Sequence, residues 1–314
     1  MQRSIKDYLM IALKGVAMGA ADTVPGVSGG TIAFISGIYE ELITTIGNVD
    51  ISLIKTWKEK GFKAFWQQLN GGFILSLLLG ILFSVFTFMR LANYLLEEYP
   101  ILIWSFFFGL VLASIWFVGK QIEKWKISTV IFTIIGAVVA YLITSLPPAA
   151  SSDSYFYLLL CGAVAVCAMI LPGISGAFIL VLMGAYRNIT QAVHDFDLKK
   201  VAVVALGAII GLLAFSKILK WLFGNYRNTT LAVLTGFIAG SLNKIWPWKK
   251  VLDSITLEEK VIVLEEKSVL PWNFEGEQQL LFAVLLMLAG FLLILILEKL
   301  AEQKPEENAA NPNI

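Results

Sequence analysis

Apolar residues run along this chain in long blocks, and polar residues interrupt them at only a few places. A helix needs about 20 mostly apolar residues to cross the hydrocarbon core of a bilayer. Residues 73–94, 101–119, 127–146, 201–223 and 280–300 meet that requirement, and 229–246 is marginal. The pattern predicts an all-α integral membrane protein.

Two stretches break the apolar pattern in nearly the same way: "MGAADTVPGVSGGTIAFISGIYEEL" at 18–42 and "MILPGISGAFILVLMGAYRNI" at 169–189. The apolar arms around the first break, 8–21 and 31–46, have about 14 to 16 residues each, so as helices they reach only about 21–24 Å. Two short arms joined by a glycine-proline kink predict a re-entrant helical hairpin over 8–46, and a second one over 155–193. Irregular backbone at membrane depth persists only where protein or water surrounds it.

The two stretches belong to an internal repeat. At an offset of 147, "PGVSGG" faces "PGISGA", and Gly15, Gly37 and Tyr39 face Gly162, Gly184 and Tyr186. Further on the offset is 127, which pairs Gly80, Phe88, Arg90, Tyr99, Gly109 and Ser114 with Gly207, Phe215, Lys217, Tyr226, Gly236 and Ser241. The change in offset locates an extra segment in the first half, "NVDISLIKTWKEKGFKAFWQQLN" at 48–70, whose aromatic and aliphatic residues among lysines suit a helix lying on the membrane surface. The expected organisation is a first repeat over 1–146 (hairpin, surface helix, transmembrane helices over 73–146), a second over 155–300 (hairpin, then helices over 201–300), and a disordered tail over 301–314. A hairpin plus three crossings is an odd number, so the two repeats should have inverted topology. Lys55, Lys58, Lys60 and Lys63, with Lys120, Lys124 and Lys126, then mark the cytoplasmic side by the positive-inside rule. Inversion puts Lys244, Lys249 and Lys250 outside, against that rule.

Composition narrows the function. The chain has 314 residues, of which 58% are hydrophobic and 15% charged, with a net charge of +1. Soluble domains carry about 25% charged residues. The near-neutral balance gives no footing for nucleic acid. Cys161 and Cys167 sit in an apolar run as small packing residues, and a single histidine, His194, excludes a multi-histidine metal centre. Asp7 and Lys14 interrupt the apolar stretch that a cleaved signal peptide would need. The composition requires no cofactor and leaves an oligomer open.

The chemistry concentrates at the two breaks. Inversion would bring both tips toward the membrane midplane, where opposed broken helices mark transporter sites. Each tip precedes a helix whose first N–H groups attract negative charge. The candidate substrate-binding residues are Asp22, Pro25, Gly26, Ser28, Gly29, Gly30 and Thr31 at the first tip, and Pro172, Gly173, Ser175 and Gly176 at the second. The glycines admit close backbone approach, and Ser28, Thr31 and Ser175 add hydroxyl donors. Arg90 and Lys217 are the matched cations, with snorkelling to the interface as the competing account. Asp22 is an acid in apolar surroundings and so a functional candidate, either as a proton carrier, as a partner for a cation or as a turn cap; proton coupling through it stays open. No counterpart faces it, since Met169 stands there, and Ala177 replaces Gly30.

With these residues the chain resembles the bacterial polyprenyl-phosphate (undecaprenyl phosphate) transporter family of the PopT type, over about residues 8–300. The resemblance implies a flippase that returns the lipid phosphate from the outer to the inner leaflet of the cytoplasmic membrane, for reuse in wall and glycan synthesis. It places the implicated residues at Asp22, 25–31 and 171–176. The undecaprenyl-pyrophosphate phosphatases of the BacA type carry similar paired motifs with an arginine after the serine. Gly29 and Gly176 stand in those places here, which removes the cation that would stabilise a transferring phosphoryl group. The other readings are an ion-coupled transporter of another small anion and, further off, such a phosphatase.

Overall fold

The computed structural model describes residues 3–24, 27–257 and 260–309. The first half comprises α1 (Ile5–Asp22), α2 (Gly29–Ile35), α3 (Tyr39–Gly47), α4 (Ile51–Gln68), α5 (Gly71–Glu98), α6 (Pro100–Gly119) and α7 (Ile127–Ser145). The second comprises α8 (Tyr155–Ile170), α9 (Gly176–Leu182), α10 (Tyr186–His194), α11 (Leu198–Ser241), strands β1 (Lys249–Leu257) and β2 (Lys260–Ser268), and α12 (Leu280–Ala309). Among the described residues, four stretches are long and apolar enough to cross a membrane: Gly71–Glu98, Pro100–Gly119, Ile127–Ser145 and Leu198–Ile245.

Local signals in the sequence set the element ends. Ser4 and Asp7 form a capping box at α1. Ser28 caps α2 and Ser175 caps α9; both helices have seven residues. Each is ended by a left-handed glycine, Gly37 at φ 71° and Gly184 at φ 63°, and each is followed by a nine-residue helix that begins at Tyr39 or Tyr186. Tyr99, between α5 and α6, has φ −132° and ψ 49°. Its counterpart in the alignment, Tyr226, has φ −137° and ψ 45° inside α11. The 201–223 and 229–246 segments are therefore two helical parts of α11 that meet at a non-helical kink at Tyr226, as α5 and α6 meet at Tyr99 in the first half. At 1.5 Å per residue, 44 residues extend about 66 Å, far beyond one bilayer crossing, so the bend is needed.

Close glycine contacts hold the helices together, and they recur in matched pairs. Cβ atoms added at Gly15 and Gly80 would strike the Leu77 and Ala12 carbonyl oxygens, joining α1 to α5. Gly162 and Gly207 stand in the same way against Val204 and Leu159, joining α8 to α11. Gly109 of α6 faces Met287 of α12, and Gly290 of α12 faces Phe106. Likewise Gly236 of α11 faces Thr133 of α7, and Gly136 of α7 faces Val233. Each half thus places its last helix against the other half. Without a hydrophobic drive between helices in lipid, such backbone approach supplies the packing energy.

The ends of the long helices are tied through α3. Glu41 accepts from Asn70, just before α5, at 2.8 Å and pairs with Arg3 at 2.6 Å. The adjacent Glu40 pairs with Arg227, just past the bend of α11, at 2.9 Å. The start of α5 and the bend of α11 therefore lie at one end of the molecule. Buried Tyr39 packs on Phe34 and Phe223, with ring centroids 4.4 and 5.9 Å away, and fastens α3 to α11.

Three features depart from the sequence reading. An antiparallel pair of strands interrupts the all-α plan between α11 and α12, with register Lys249 to Ser268 and Leu257 to Lys260. Its β-branched run "KVIVL" is the signal passed over. Helix α12 continues to Ala309, through residues assigned above to a disordered tail, because Ala, Glu, Gln and Lys are also good helix formers; residues 310–314 lie outside the described residues. The extra segment forms α4, which breaks at Gly61 (φ 79°), with Ile51, Trp57 and Phe62 exposed.

The α6–α12 contact yields a direct expectation. Gly109→Ala and Gly290→Ala should each lower unfolding stability by about 1–3 kcal/mol, as overpacking does, read as a lower thermal midpoint in detergent. Gly224→Ala, whose added methyl meets open space, should leave the midpoint unchanged or slightly raised. Equal midpoints for all three variants would contradict this packing.

Candidate functional site

The first tip starts where α1 ends. Asp22 is the last residue of that helix, and Thr23 Oγ1 donates to the Ala20 carbonyl at 2.6 Å. Pro25 and Gly26 lie outside the described residues. The chain resumes at buried Val27 and Ser28, with Ser28 in an extended conformation (φ −116°, ψ 129°). Its Oγ accepts the Gly30 N–H at 3.1 Å, while its carbonyl accepts the Thr31 N–H at 2.9 Å. The half-buried Asp22 carboxylate reaches across the turn and accepts the Gly29 N–H at 2.7 Å. The first three amides of α2 are thus engaged by the protein itself, two of them by side chains. A side chain at Gly29 would collide with that carboxylate.

The second tip follows α8 through extended Leu171, Pro172 and Gly173, whose φ of 95° favours glycine. A side chain at Gly173 would also run into Ser241 Oγ at 2.6 Å, at the end of α11. Ser175 Oγ accepts the Phe178 N–H at 3.2 Å. Gly176 sits beside Met169 as Gly29 sits beside Asp22, but Met169 offers a thioether in place of a carboxylate.

The two tips touch. Ser28 Oγ lies 3.1 Å from both the Met169 and the Leu171 carbonyl oxygens, so its one hydroxyl proton serves two acceptors. The Gly173 N–H donates to Thr31 Oγ1 at 3.0 Å. Gly30 passes against the Ile170 carbonyl so closely that no side chain fits. Ser28 and Thr31 are each 1% exposed and Ser175 8%, so these are interior hydrogen bonds. Residues more than 140 positions apart in sequence meet here. The structure therefore brings together Asp22, Ser28, Gly29, Gly30, Thr31 and Gly173, with Pro172, Ser175 and Gly176 directly adjoining.

The matched cations are elsewhere. Arg90 is exposed on α5. Lys217 is exposed on α11, where it borders a groove of about 580 Å³ with Asp50, Ile54 and Leu213. The sequence reading missed a different cation. Lys14 Nζ of α1 donates to the Ser36 carbonyl at the end of α2 at 2.6 Å. Helix α1 therefore brackets α2, with Asp22 at its positive end and Lys14 at its negative end, the charges that a helix dipole favours. Eight residues of α1 rise about 12 Å, close to the length of the seven-residue α2. In the second half Cys161 and Met169 occupy the corresponding positions, so the second hairpin carries neither charge. Among the described residues no group of three His, Cys, Asp or Glu side chains is placed to hold a metal ion.

With this geometry in place, comparison with known proteins gives a consistent answer. Residues 18–262 match the family described as VCA0040-like, undecaprenyl phosphate translocase-like. A polyprenyl-phosphate transporter of Vibrio cholerae serotype O1 is 47% identical over 302 residues, covering 95% of this chain and 98% of the relative. A polyprenyl-phosphate transporter of Staphylococcus aureus is 30% identical over 254 residues, covering 75% of this chain and 85% of the relative. No solved structure matches. The family match spans both tips and the relatives are named as transporters, so the chain belongs to the undecaprenyl phosphate translocase-like family, a multi-pass membrane transporter and not an enzyme.

Proposed function

We propose that this protein is a flippase that returns polyprenyl phosphate from the outer to the cytoplasmic leaflet of the bacterial cytoplasmic membrane, making the carrier available again for wall and glycan synthesis. The observation that carries this reading is the contact of the two tips, which makes one polar locus from two broken helices. The relatives' names supply the substrate. Such a lipid needs a polar path only for its head, because its chain can remain in the hydrocarbon, whereas an unaided phosphate crosses slowly.

Two inverted repeats, each with a re-entrant hairpin, form the proposed scaffold. The matched dihedrals of Tyr99 and Tyr226 and the paired glycine contacts support the repeat. The meeting of the start of α5 with the bend of α11 at α3 supports the inversion. Helices α2 and α9 extend about 10 Å each and cannot cross a bilayer, and the polar turns before them are enclosed by protein, as irregular backbone at that depth requires.

In the proposed cycle the described arrangement is the closed one. The phosphate head takes over donors now held by protein acceptors, namely the Gly29 and Gly30 amides, the Ser28 hydroxyl and the Gly173 amide freed from Thr31, and the Thr31 and Ser175 hydroxyls and the Gly176 amide complete its shell. Pro25, Gly26 and Pro172 shape the turns, while Arg90 and Lys217 attract the head at longer range from α5 and α11. Asp22 and phosphate compete for the same amide, and two anions a few ångströms apart repel strongly where water is scarce. Phosphate entry therefore favours a protonated Asp22, which couples proton uptake to binding without any further cofactor.

Flux of polyprenyl phosphate into proteoliposomes tests the site. Ser28→Ala and Ser175→Ala each remove a hydrogen bond to a charged head, at a cost of about 1.5–3 kcal/mol, or roughly 10- to 150-fold in affinity. Gly29→Val should be worse, because its side chain meets Asp22. Normal flux in all three variants at normal expression would rule out the tips as the site, and equal flux of inorganic phosphate would replace the lipid by a small anion.

The proton coupling makes a separate expectation. Asp22→Asn should bind polyprenyl phosphate at least as well as the parent while losing the response of flux to an imposed pH gradient. A variant that still responds fully would exclude Asp22 as the proton carrier.

A further inference from the structure

The two halves each carry one insertion, α4 in the first and the strand pair in the second. The strand pair is anchored beside the second tip. Trp246 Nε1 donates to the Val269 carbonyl at 2.8 Å, and buried Trp248 donates to the Gln278 carbonyl at 2.9 Å. This anchoring holds two lysines against one acid. Glu266 Oε1 accepts from Lys244 Nζ at 2.7 Å and from Lys249 Nζ at 2.6 Å. The side chains are largely covered, with exposures of 23% for Lys244, 10% for Lys249 and 21% for Glu266.

Among the described residues, two ammonium groups and one carboxylate leave one positive charge in excess in a mostly dry setting. Burial is costly for a charge without full pairing. Burial pushes the Lys249 pKa down to about 8, against the pull of Glu266. Burial also raises the Glu266 pKa, but the two ammonium groups together outweigh it and hold the carboxyl below its ordinary value. Aromatic faces supply the remaining stabilisation: Lys249 Nζ is 5.3 Å from the Trp104 ring centroid and Lys244 Nζ is 4.5 Å from that of Phe178. Phe178 is also the residue whose amide Ser175 caps. The excess charge therefore lies one side chain from the second tip.

We propose that Lys244 and Lys249, bridged by Glu266, form a second anion site, which takes the phosphate monoester head of a polyprenyl phosphate at the membrane surface on the strand-bearing side and hands it to the second tip. This proposal rests on the transport reading above. The head exchanges with the Glu266 carboxylate, so the lysines keep an anionic partner throughout. Trp104 and Phe178 border the cluster with apolar surface suited to the first isoprene units. The assignment also accounts for lysines on the outer side of the proposed topology: Lys244 and Lys249 share Glu266, and Lys250 pairs separately with Glu275.

Farnesyl phosphate is the probe, with the full chain in nanodiscs. Lys244→Gln and Lys249→Gln should each weaken its binding at least roughly 10-fold, while Lys250→Gln should bind as the parent does. Glu266→Gln should bind more tightly, because it removes the competing carboxylate; a purely structural ion pair predicts the opposite. In the unaltered protein farnesyl phosphate should protect Lys244 and Lys249, but not Lys250, from an amine-acylating reagent, a readout that does not depend on a variant folding. Parental binding in both lysine variants, weakened binding in Glu266→Gln, or no protection would overturn the capture site. Equal protection by inorganic phosphate would overturn its assignment to a lipid. A parent protein that transports polyprenyl phosphate while the lysine variants keep its apparent KM would sink this proposal alone; a parent that neither binds nor transports it would sink both readings.

Discussion

Backbone that leaves the helical conformation away from water must find its hydrogen-bond partners within the protein. The two broken helices meet that constraint with each other. Ser28 serves the carbonyls that α8 and its exit leave unpaired, and Thr31 serves the Gly173 amide. Neither tip is complete alone. The surrounding helices can then be read as a frame that holds two short helices, α2 and α9, point to point. The glycine contacts of α1 on α5 and of α8 on α11 fix the arms, and the contacts between α6 and α12 and between α7 and α11 tie the halves together.

A frame built from similar halves carries dissimilar chemistry. The first hairpin has a carboxylate at one end of its short helix and an ammonium group at the other, whereas the second has a thioether and a thiol in those places. The insertions differ as well: α4 exposes aromatic residues and lysines, while β1 covers Lys249 beside Trp104. An exchange between two symmetric faces would have no reason to differentiate them. In the proposed direction of transport, a lipid phosphate meets a covered cationic cluster on one side and the single acid-bearing tip further in, so the two faces present different free energies to the same head group.

Much of this was legible in the residues. Matches of glycine, proline and tyrosine at fixed offsets located both breaks, and the Tyr99 and Tyr226 pair proved to share its backbone conformation to within a few degrees. Side chains that bond over long distances were not legible. Asp22 was recognised as exceptional, but only the fold reveals that it holds the Gly29 amide. Lys14 registered as an interruption of an apolar run, since nothing local indicates that α1 folds back beside the end of α2. Arg90 and Lys217 matched in alignment, yet they face outward, because equivalence between repeats fixes a position on a helix and not its distance from the tips. The strands were missed because a short continuous apolar run has no period that tells a strand from a helix segment.

In the proposed cycle, the saturation of the tips bears on why such a site would transport its ligand instead of trapping it or reacting with it. A pocket of free, preorganised donors would bind a phosphate tightly in a dry setting and release it slowly. Here the Gly29, Gly30 and Gly173 amides and the Ser28 hydroxyl already have acceptors, so binding replaces a carboxylate, hydroxyls and carbonyls by phosphate oxygens, and only the difference between two sets of bonds is left to drive it. Net values are about 0.5–1.5 kcal/mol for a neutral bond and about 1.5–3 kcal/mol for one to a charged group, below the gross strength of each bond. Phosphoryl transfer would require the reverse, a fixed cation that binds the transition state much more strongly than the ground state. Glycine at positions 29 and 176, with backbone amides and neutral hydroxyls around them, suits exchange. In the proposed cycle, the contact that closes the two tips on each other also sets how weakly they hold a head group that passes between them.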